Sequence, residues 1–228
     1  TCSLLNHTGM FEEAQQMADH ALSDARARRM RILEAFALHN GGMSCARLGQ
    51  IDEGIEYQRE AARIADECKA ARLRINARVY ETVFLVWRGA PGDLGAALQL
   101  ARYLLEETRS APSLQINASF AYARVQLARR DLGAAIEAAR DAYQRVSAGP
   151  VEEWEEYIRL TLVEALLQAG ATQEADMVLD VAYRGLLDRA RAIRRDDCQR
   201  AYLYRNEECR QTMELAQLRL NRPPPSGG

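Results

Sequence analysis

Apolar residues recur along most of the chain at intervals of three and four positions, the spacing that places them on one face of an α-helix. One such run covers 160–167 and another covers 178–182, with Gly170 between them. This pattern predicts two helices joined by a tight turn. Applied to the whole chain, it predicts helices at about 10–28, 30–48, 51–69, 71–89, 93–109, 113–129, 132–147, 151–169, 172–194 and 197–219.

A short phrase recurs at alternate turns, where a break residue is followed five positions later by alanine or glycine. The instances are Gly9 with Ala14, Gly49 with Gly54, Gly92 with Ala97, Arg130 with Ala135, and Gly170 with Ala175. Their second members lie 40, 43, 38 and 40 residues apart. Small residues let two packed helices approach until their axes are about 8 to 10 Å apart. Glycine readily adopts the left-handed conformation that ends a helix. The repeat therefore predicts a series of five helical hairpins.

The predicted fold is all-α, a right-handed superhelix of helical hairpins closed by a C-terminal capping helix. No interior segment is rich enough in Gly, Ser or Pro to divide it, so we predict one domain over 1–221 and a disordered tail over 222–228. In such an array each hairpin is expected to contact only its neighbours. The predicted units are about 1–28, 30–69, 71–109, 113–147 and 151–194, with the cap at 197–219.

The second unit carries a more specific pattern. The segment 38–66 reads Leu-x3-Gly-x2-Cys-x3-Gly-x4-Gly-x6-Ala, with Gly42, Gly49, Gly54 and Ala61 at its small positions and Cys45 where the pattern has tyrosine. This order resembles the tetratricopeptide repeat, although the period here is near 40 rather than 34 residues and the terminal proline is missing. Further matches are Ala123, Ala135, Ala139 and Ala142 in the fourth unit and Leu162, Leu166, Gly170, Ala175 and Ala182 in the fifth.

In tetratricopeptide superhelices the first helix of each pair lines a concave face that binds partners. The resemblance implies that a protein or peptide binds here, in a groove of aromatic and polar side chains with arginine available for a carboxylate. The lysine- and asparagine-rich clamp of chaperone-binding members is missing. The implied groove residues are Phe36, His39, Met43, Arg47, Thr82, Val86, Asn117, Phe120, Arg124, Tyr157, Thr161, Glu164 and Gln168.

A second resemblance covers about 145–216. It rests on the phrases 151–153, 159–160 and 164–166 before Gly170, and on a closing phrase. These resemble the C-terminal helical-repeat region of bacterial regulators that join a serine/threonine kinase to a signal-transduction ATPase. The resemblance implies that this chain is the regulatory end of a longer signalling protein. It also implies that the chain binds another protein or another domain of its own parent chain. The matching residues of the closing phrase are Tyr202, Leu203, Glu208, Thr212, Leu215 and Ala216.

Composition narrows the possible partners and the compartment. A formal net charge of −2 gives no global basic field for nucleic acid or an anionic membrane. Arginines cluster at 26–31 and 189–195, but acidic neighbours favour solvated, ion-paired faces.

No apolar run reaches the roughly 20 residues that span a bilayer, and the first residues lack the features of a signal peptide. Five cysteines without a C-x-x-C pair favour a reduced, cytoplasmic setting. The sequence leaves open whether the chain forms a homodimer.

Residues with catalytic or metal-binding chemistry do not assemble into a known motif. No phosphate-binding loop or kinase motif occurs, and Lys69 is the only lysine. The three histidines lack metal-ligand spacing. Cys45 and His39 lie on opposite sides of one helix, so we interpret Cys45 as a core residue. The glutamate pairs 152–153 and 155–156 fit a solvated first helical turn.

These observations lead us to expect no catalysis, no metal and no cofactor. Trp87 and Trp154 are candidates for stacking on a ligand, but Trp87 follows Val83 and Phe84 at helical spacing, which favours a core position for it. The leading hypothesis is a non-catalytic interaction or scaffold module. The alternative is a domain that senses a small-molecule effector and controls an attached ATPase or kinase.

Overall fold

A computed structural model describes residues 2–147 and 154–223. Within these ranges the chain forms twelve α-helices and no strand, so the predicted all-α class is confirmed there. The helices are α1 (Cys2–His7), α2 (Phe11–Ala27), α3 (Arg31–Arg47), α4 (Ile51–Glu67), α5 (Ala71–Arg88), α6 (Asp93–Glu107), α7 (Pro112–Ala128), α8 (Leu132–Ser147), α9 (Glu155–Gln168), α10 (Thr172–Ala192), α11 (Asp196–Arg205) and α12 (Glu207–Leu220).

The helices pack in chain order as antiparallel pairs, and the first helices of adjacent pairs also pack on one another. Contacts join α1 to α3, α3 to α5, α5 to α7 and α7 to α9, whereas the second helices α2, α4, α6, α8 and α10 make no comparable contacts with one another among the described residues. The last helix, α12, packs on both α9 and α10. The first helices are therefore closer together than the second helices. They form the inner layer of a curved array, which is the architecture of a helical-repeat solenoid.

The five predicted breaks all have a positive φ, as the repeat requires. The values are 76° at Gly9, 87° at Gly49, 91° at Gly92, 61° at Arg130 and 78° at Gly170. At Gly9, Gly49, Arg130 and Gly170 this conformation turns the next amide back towards the end of the preceding helix, so that its last carbonyls are satisfied. At the remaining turn α5 already ends at Gly89, with φ 61°, and Gly92 is the N-cap of α6.

The small residues after the breaks lie where paired helices cross. All five are buried. At the crossing of α3 and α4, a Cβ atom on Gly54 would lie only 2.8 Å from the carbonyl oxygen of Gly42. A larger side chain at this position would therefore push the two helices apart.

The ends of the array differ from the sequence-based prediction. The six-residue helix α1 was not predicted, and the single helix predicted over 197–219 is divided into α11 and α12. The division falls at Asn206, whose backbone is extended and whose side-chain amide donates to the carbonyls of His7 and Tyr202 at 3.0 and 3.2 Å. The helix predicted from 151 begins at Glu155; residues 148–153, and 224–228 of the predicted tail, lie outside the described residues.

The C-terminal helices also contact the first two units, so the expectation that each hairpin contacts only its neighbours is wrong. Arg205 pairs with Glu12 at 2.7 Å, and Arg47 pairs with Glu208 at 2.7 Å. At Gly9 the backbone lies so close to α11 that a Cβ atom would sit 2.6 Å from the carbonyl oxygen of Ala201. These contacts, between 7–47 and 201–208, are called the closure below.

Candidate functional site

The residues predicted to line a groove all lie on the inner-layer helices α3, α5, α7 and α9, but they do not share one surface. Six are buried: His39, Thr82, Asn117, Phe120, Tyr157 and Thr161. Five are partly buried: Met43, Arg47, Val86, Arg124 and Glu164. Phe36 and Gln168 are exposed. Within the described ranges these residues therefore do not line one continuous open surface, and only part of the set borders a cavity.

An aromatic cluster fills much of the space inside the inner layer, and Trp154 lies at its centre. The Trp154 ring centroid lies 4.6 Å from that of Tyr80, 5.4 Å from Phe120 and 5.9 Å from Tyr157. Trp154 reaches this position because its backbone is left-handed, with φ 63°, immediately before α9. Trp87 borders the cluster and donates its indole N–H to the Tyr157 hydroxyl at 3.0 Å. Both tryptophans therefore pack within one cluster.

Arg47 links the inner layer to the C-terminal helices. Its guanidinium donates two hydrogen bonds of 2.7 Å to the two carboxylate oxygens of Glu208 and lies 4.9 Å from the centre of a Trp87 ring. Burial alone lowers the pKa of Arg47, but the Glu208 carboxylate outweighs burial and holds the pKa above its ordinary value. The pair is a bidentate, charge-assisted contact of the kind that also binds ligand carboxylates.

Arg124 forms the second arginine site, on α7. It pairs with Glu164 of α9, and its guanidinium lies 4.4 Å from the Tyr157 ring centre. Burial alone lowers the pKa of Arg124, but Tyr157 and Glu164 outweigh it and hold the pKa above its ordinary value. Burial raises the pKa of Tyr157, so its hydroxyl remains protonated near neutral pH.

The two arginine sites face a cavity of about 440 Å³ between the inner layer and the C-terminal helices, called the lumen cavity below. Its arginine and glutamate side chains are matched in number, so the cavity is polar but has little net charge. Its volume falls within the range of small-molecule sites, roughly 300 to 1,000 Å³. The lining residues are Ala46, Arg47, Ile51, Trp87, Arg124, Tyr157, Glu164, Arg205, Glu207, Glu208 and Gln211.

Four of these lining residues belong to the predicted groove. Four others lie on α11 and α12, in the segment predicted to be only a cap: Arg205, Glu207, Glu208 and Gln211. No periodic signal marks them, because Arg47 and Glu208 are 161 residues apart and their meeting depends on the curvature of the whole array.

The other candidate residues have structural partners. His39 Nδ1 lies 2.8 Å from Gln58 Oε1, and the Cys45 side chain is fully buried, as expected for a core residue. Glu156 differs from its prediction as a solvated first-turn residue, because it is buried and accepts hydrogen bonds of 2.5 Å from both Tyr202 and Arg189. The glutamate pair 152–153 lies outside the described residues. Most arginines of the two clusters are paired with carboxylates, which agrees with their interpretation as ion-paired faces.

Metal binding, membrane insertion and similarity to known proteins add no assignment to the lumen cavity. In the part of the chain that the structure describes, no three His, Cys, Asp or Glu side chains are grouped as a metal site. No helix in those same ranges is long and apolar enough to cross a membrane. Comparisons with protein-family models and with curated proteins find no match to this chain.

Proposed function

We propose that the protein is a non-catalytic interaction module whose lumen cavity binds an acidic group of a partner protein or peptide. The single observation that carries this proposal is the Arg124–Glu164 pair beside Tyr157. Glu164 is only partly buried, so an incoming carboxylate can take its place on the guanidinium without leaving Arg124 unpaired. Tyr157 and Trp87 supply apolar surface beside that position, which is the composition of an interaction hot spot.

The two tryptophans provide a direct assay, because the chain has only these two and both lie in the aromatic cluster. Decapeptides rich in Asp and Glu are titrated against the full chain while tryptophan fluorescence is followed, with Asn- and Gln-substituted peptides as the matched set. We expect a saturable change with the acidic peptides only. Equal responses to both peptide sets would refute the proposal.

Two variants of the arginine site are expected to act in opposite directions. Arg124→Gln removes the cation and should weaken binding at least tenfold, whereas Glu164→Gln removes the internal competitor and should strengthen it. Arg140→Gln is the matched control. Arg140 lies on the exposed face of α8, pairs with Glu174 of α10 and does not border the cavity. Circular dichroism checks that each variant keeps its helical content.

The lumen cavity also favours a second candidate, the sensing of a small-molecule effector. Its volume suits a small ligand, and α11 and α12 cover one side of it. A thermal-shift screen of small mono- and dicarboxylic acids distinguishes the two candidates. A saturable rise in melting temperature that Arg124→Gln abolishes would support an effector site, because a ligand bound only by the folded state stabilises it.

We further propose that the module serves a larger bacterial signalling protein, in line with the tetratricopeptide and kinase–ATPase resemblances. The consecutive packing of helical pairs supports a repeat scaffold. The parent open reading frame tests the wider context. A kinase or ATPase encoded in the same frame would support it, and an unrelated domain there would refute it.

A further inference from the structure

Arg124 uses only part of its hydrogen-bonding capacity at the wall of the lumen cavity. Its Nη1 atom pairs with Glu164 and lies 3.5 Å from the Thr161 hydroxyl oxygen. Its Nε atom is buried without a partner, and its Nη2 atom forms no hydrogen bond within the described residues. A guanidinium is able to present two parallel N–H groups to one carboxylate. Glu164 therefore holds Arg124 through one terminal nitrogen and leaves the other available.

Tyr157 supplies a second donor beside Arg124. Its hydroxyl oxygen accepts the indole N–H of Trp87 at 3.0 Å, and its own proton is donated to no acceptor among the described residues. The side chain is only 7% exposed and borders the lumen cavity. The rings of Phe120 and Trp154 pack at 5.2 and 5.9 Å from the Tyr157 ring, which fixes the position of the hydroxyl. A buried hydroxyl in this state still needs an acceptor.

The two donors lie at one place in the cavity wall. The guanidinium carbon of Arg124 is 4.4 Å from the centre of the Tyr157 ring. Burial raises the pKa of the Tyr157 hydroxyl most strongly, and the charges of Arg124 and Glu164 also act on it. Glu164 makes no hydrogen bond to that hydroxyl. A ligand carboxylate that replaces Glu164 on Arg124 is thus able to use one donor more than Glu164 does.

The charges around these donors match a ligand group with a single negative charge. Arg47 uses both terminal nitrogens on Glu208, and Arg205 pairs with Glu12, which lies outside the cavity lining. Arg124 is therefore the cation left for a ligand. A carboxylate carries one negative charge, whereas a phosphate monoester carries about −1.5 to −2 at pH 7. The excess charge of a phosphate would lie beside the carboxylates of the cavity wall without a cation of its own.

We propose that the lumen cavity selects carboxylates over phosphates, and that the Tyr157 hydroxyl is a specificity residue of this site. The ligand carboxylate accepts hydrogen bonds from Nη1 and Nη2 of Arg124 and from the Tyr157 hydroxyl. This inference rests on the proposed function of the cavity and defines the chemistry that the cavity recognises. Peptides with aspartate or glutamate side chains are bound, and peptides with phosphorylated side chains, which proteins bind through clusters of available arginines, are not.

One fluorescein-labelled decapeptide tests the selectivity when it is made in three versions, with glutamate, phosphoserine or glutamine at the same positions. Fluorescence anisotropy against the full chain is expected to give saturable binding of the glutamate version. The phosphoserine version should bind about tenfold more weakly or worse, because its excess charge is uncompensated. The glutamine version should not saturate. This comparison uses the wild-type protein, so it does not depend on how any variant folds.

The variant Tyr157→Phe keeps the aromatic ring and removes only the hydroxyl. It should weaken binding of the glutamate peptide about tenfold, because hydrogen bonds to charged groups are the strong ones. Tyr183→Phe is the matched control and should leave binding unchanged. Tyr183 is equally buried, at 6% exposed, donates its hydroxyl proton to the Pro223 carbonyl oxygen at 2.5 Å and does not border the cavity. Circular dichroism checks that both variants keep their helical content.

The results separate this inference from the proposed function. If Arg124→Gln abolishes binding of the glutamate peptide and Tyr157→Phe binds it as wild type does, the proposed function stands and the role of Tyr157 is wrong. If the phosphoserine version binds as tightly as the glutamate version, the selectivity is wrong and the cavity also takes phosphopeptides. If no version binds, the proposed function fails and this inference fails with it.

Discussion

Replacing Glu208 by glutamine tests the closure with little change in side-chain size. The Arg47 and Glu208 side chains are only 6% and 10% exposed, and two hydrogen bonds of 2.7 Å join them. Breaking a buried ion pair from one side leaves an uncompensated charge and costs roughly 3 to 5 kcal/mol. Glutamine keeps one acceptor oxygen, so the expected loss in the free energy of unfolding is about 3 kcal/mol.

Urea denaturation, followed by circular dichroism and by tryptophan fluorescence, measures this loss. For a urea dependence near 3 kcal/mol per molar, the midpoint should fall by about 1 M. Glu214→Gln is the matched control on the same helix, because Glu214 pairs with Arg210 in the exposed part of α12. A surface pair of this kind contributes at most about 1 kcal/mol.

The double variant Arg47→Met with Glu208→Gln separates charge from packing. Removing the buried cation should restore part of the lost stability, because neither partner then carries an unpaired charge. If the free energies of unfolding of the Glu208→Gln and Glu214→Gln variants agree within about 1 kcal/mol, the closure does not stabilise the fold and this prediction is wrong. If the double variant recovers nothing, the loss comes from packing rather than from charge.

Three further predictions concern single residues. Arg130→Gly should stabilise the protein by about 0.5 to 1 kcal/mol in thermal or urea unfolding, because Arg130 is exposed and held at φ 61°. An aromatic disulfide reagent at about pH 8 should label Cys68 before Cys45, because Cys68 is exposed whereas burial raises the pKa of Cys45 to about 12; a Cys68→Ser variant that keeps the fast phase would contradict this. Burial alone raises the pKa of Glu156, but Arg189 and neighbouring groups outweigh it and hold the pKa below its ordinary value. The stability that Glu156 contributes is therefore complete above ~pH 4.3 and is lost as pH falls through its folded-state pKa, so Glu156→Gln should reduce the acid dependence of the unfolding free energy.

Local features of the fold could be predicted from the sequence because their causes are local. The breaks at Gly49 and Gly170 need a left-handed residue, and the crossing at Gly54 needs a small one, so each leaves a mark at a fixed place in the repeat. The expected all-α architecture follows from such marks. The tetratricopeptide resemblance implied which helices line the inside, and four of the residues it implied for the groove lie beside the lumen cavity.

Non-local features left no such mark. Asn206 interrupts the C-terminal helix although no glycine or proline is present there. Its side-chain amide donates a hydrogen bond to the carbonyl of His7, 199 residues away. Trp154 enters the aromatic cluster through a single left-handed residue in a position where tryptophan is not expected. Both depend on the position of segments distant in sequence, which periodicity along one segment cannot reveal.

The closure also restricts how this protein can change in length. Open repeat arrays gain or lose whole units readily, because the remaining units keep their neighbours. Here the last helices must return to Arg47 and to the backbone at Gly9. Duplicating or deleting one hairpin would rotate α11 and α12 away from those positions and leave a buried arginine without its carboxylate. The number of hairpins between 47 and 201 is thus tied to the geometry of these contacts, so divergence of this part of the chain is expected to proceed by substitution rather than by duplication of units.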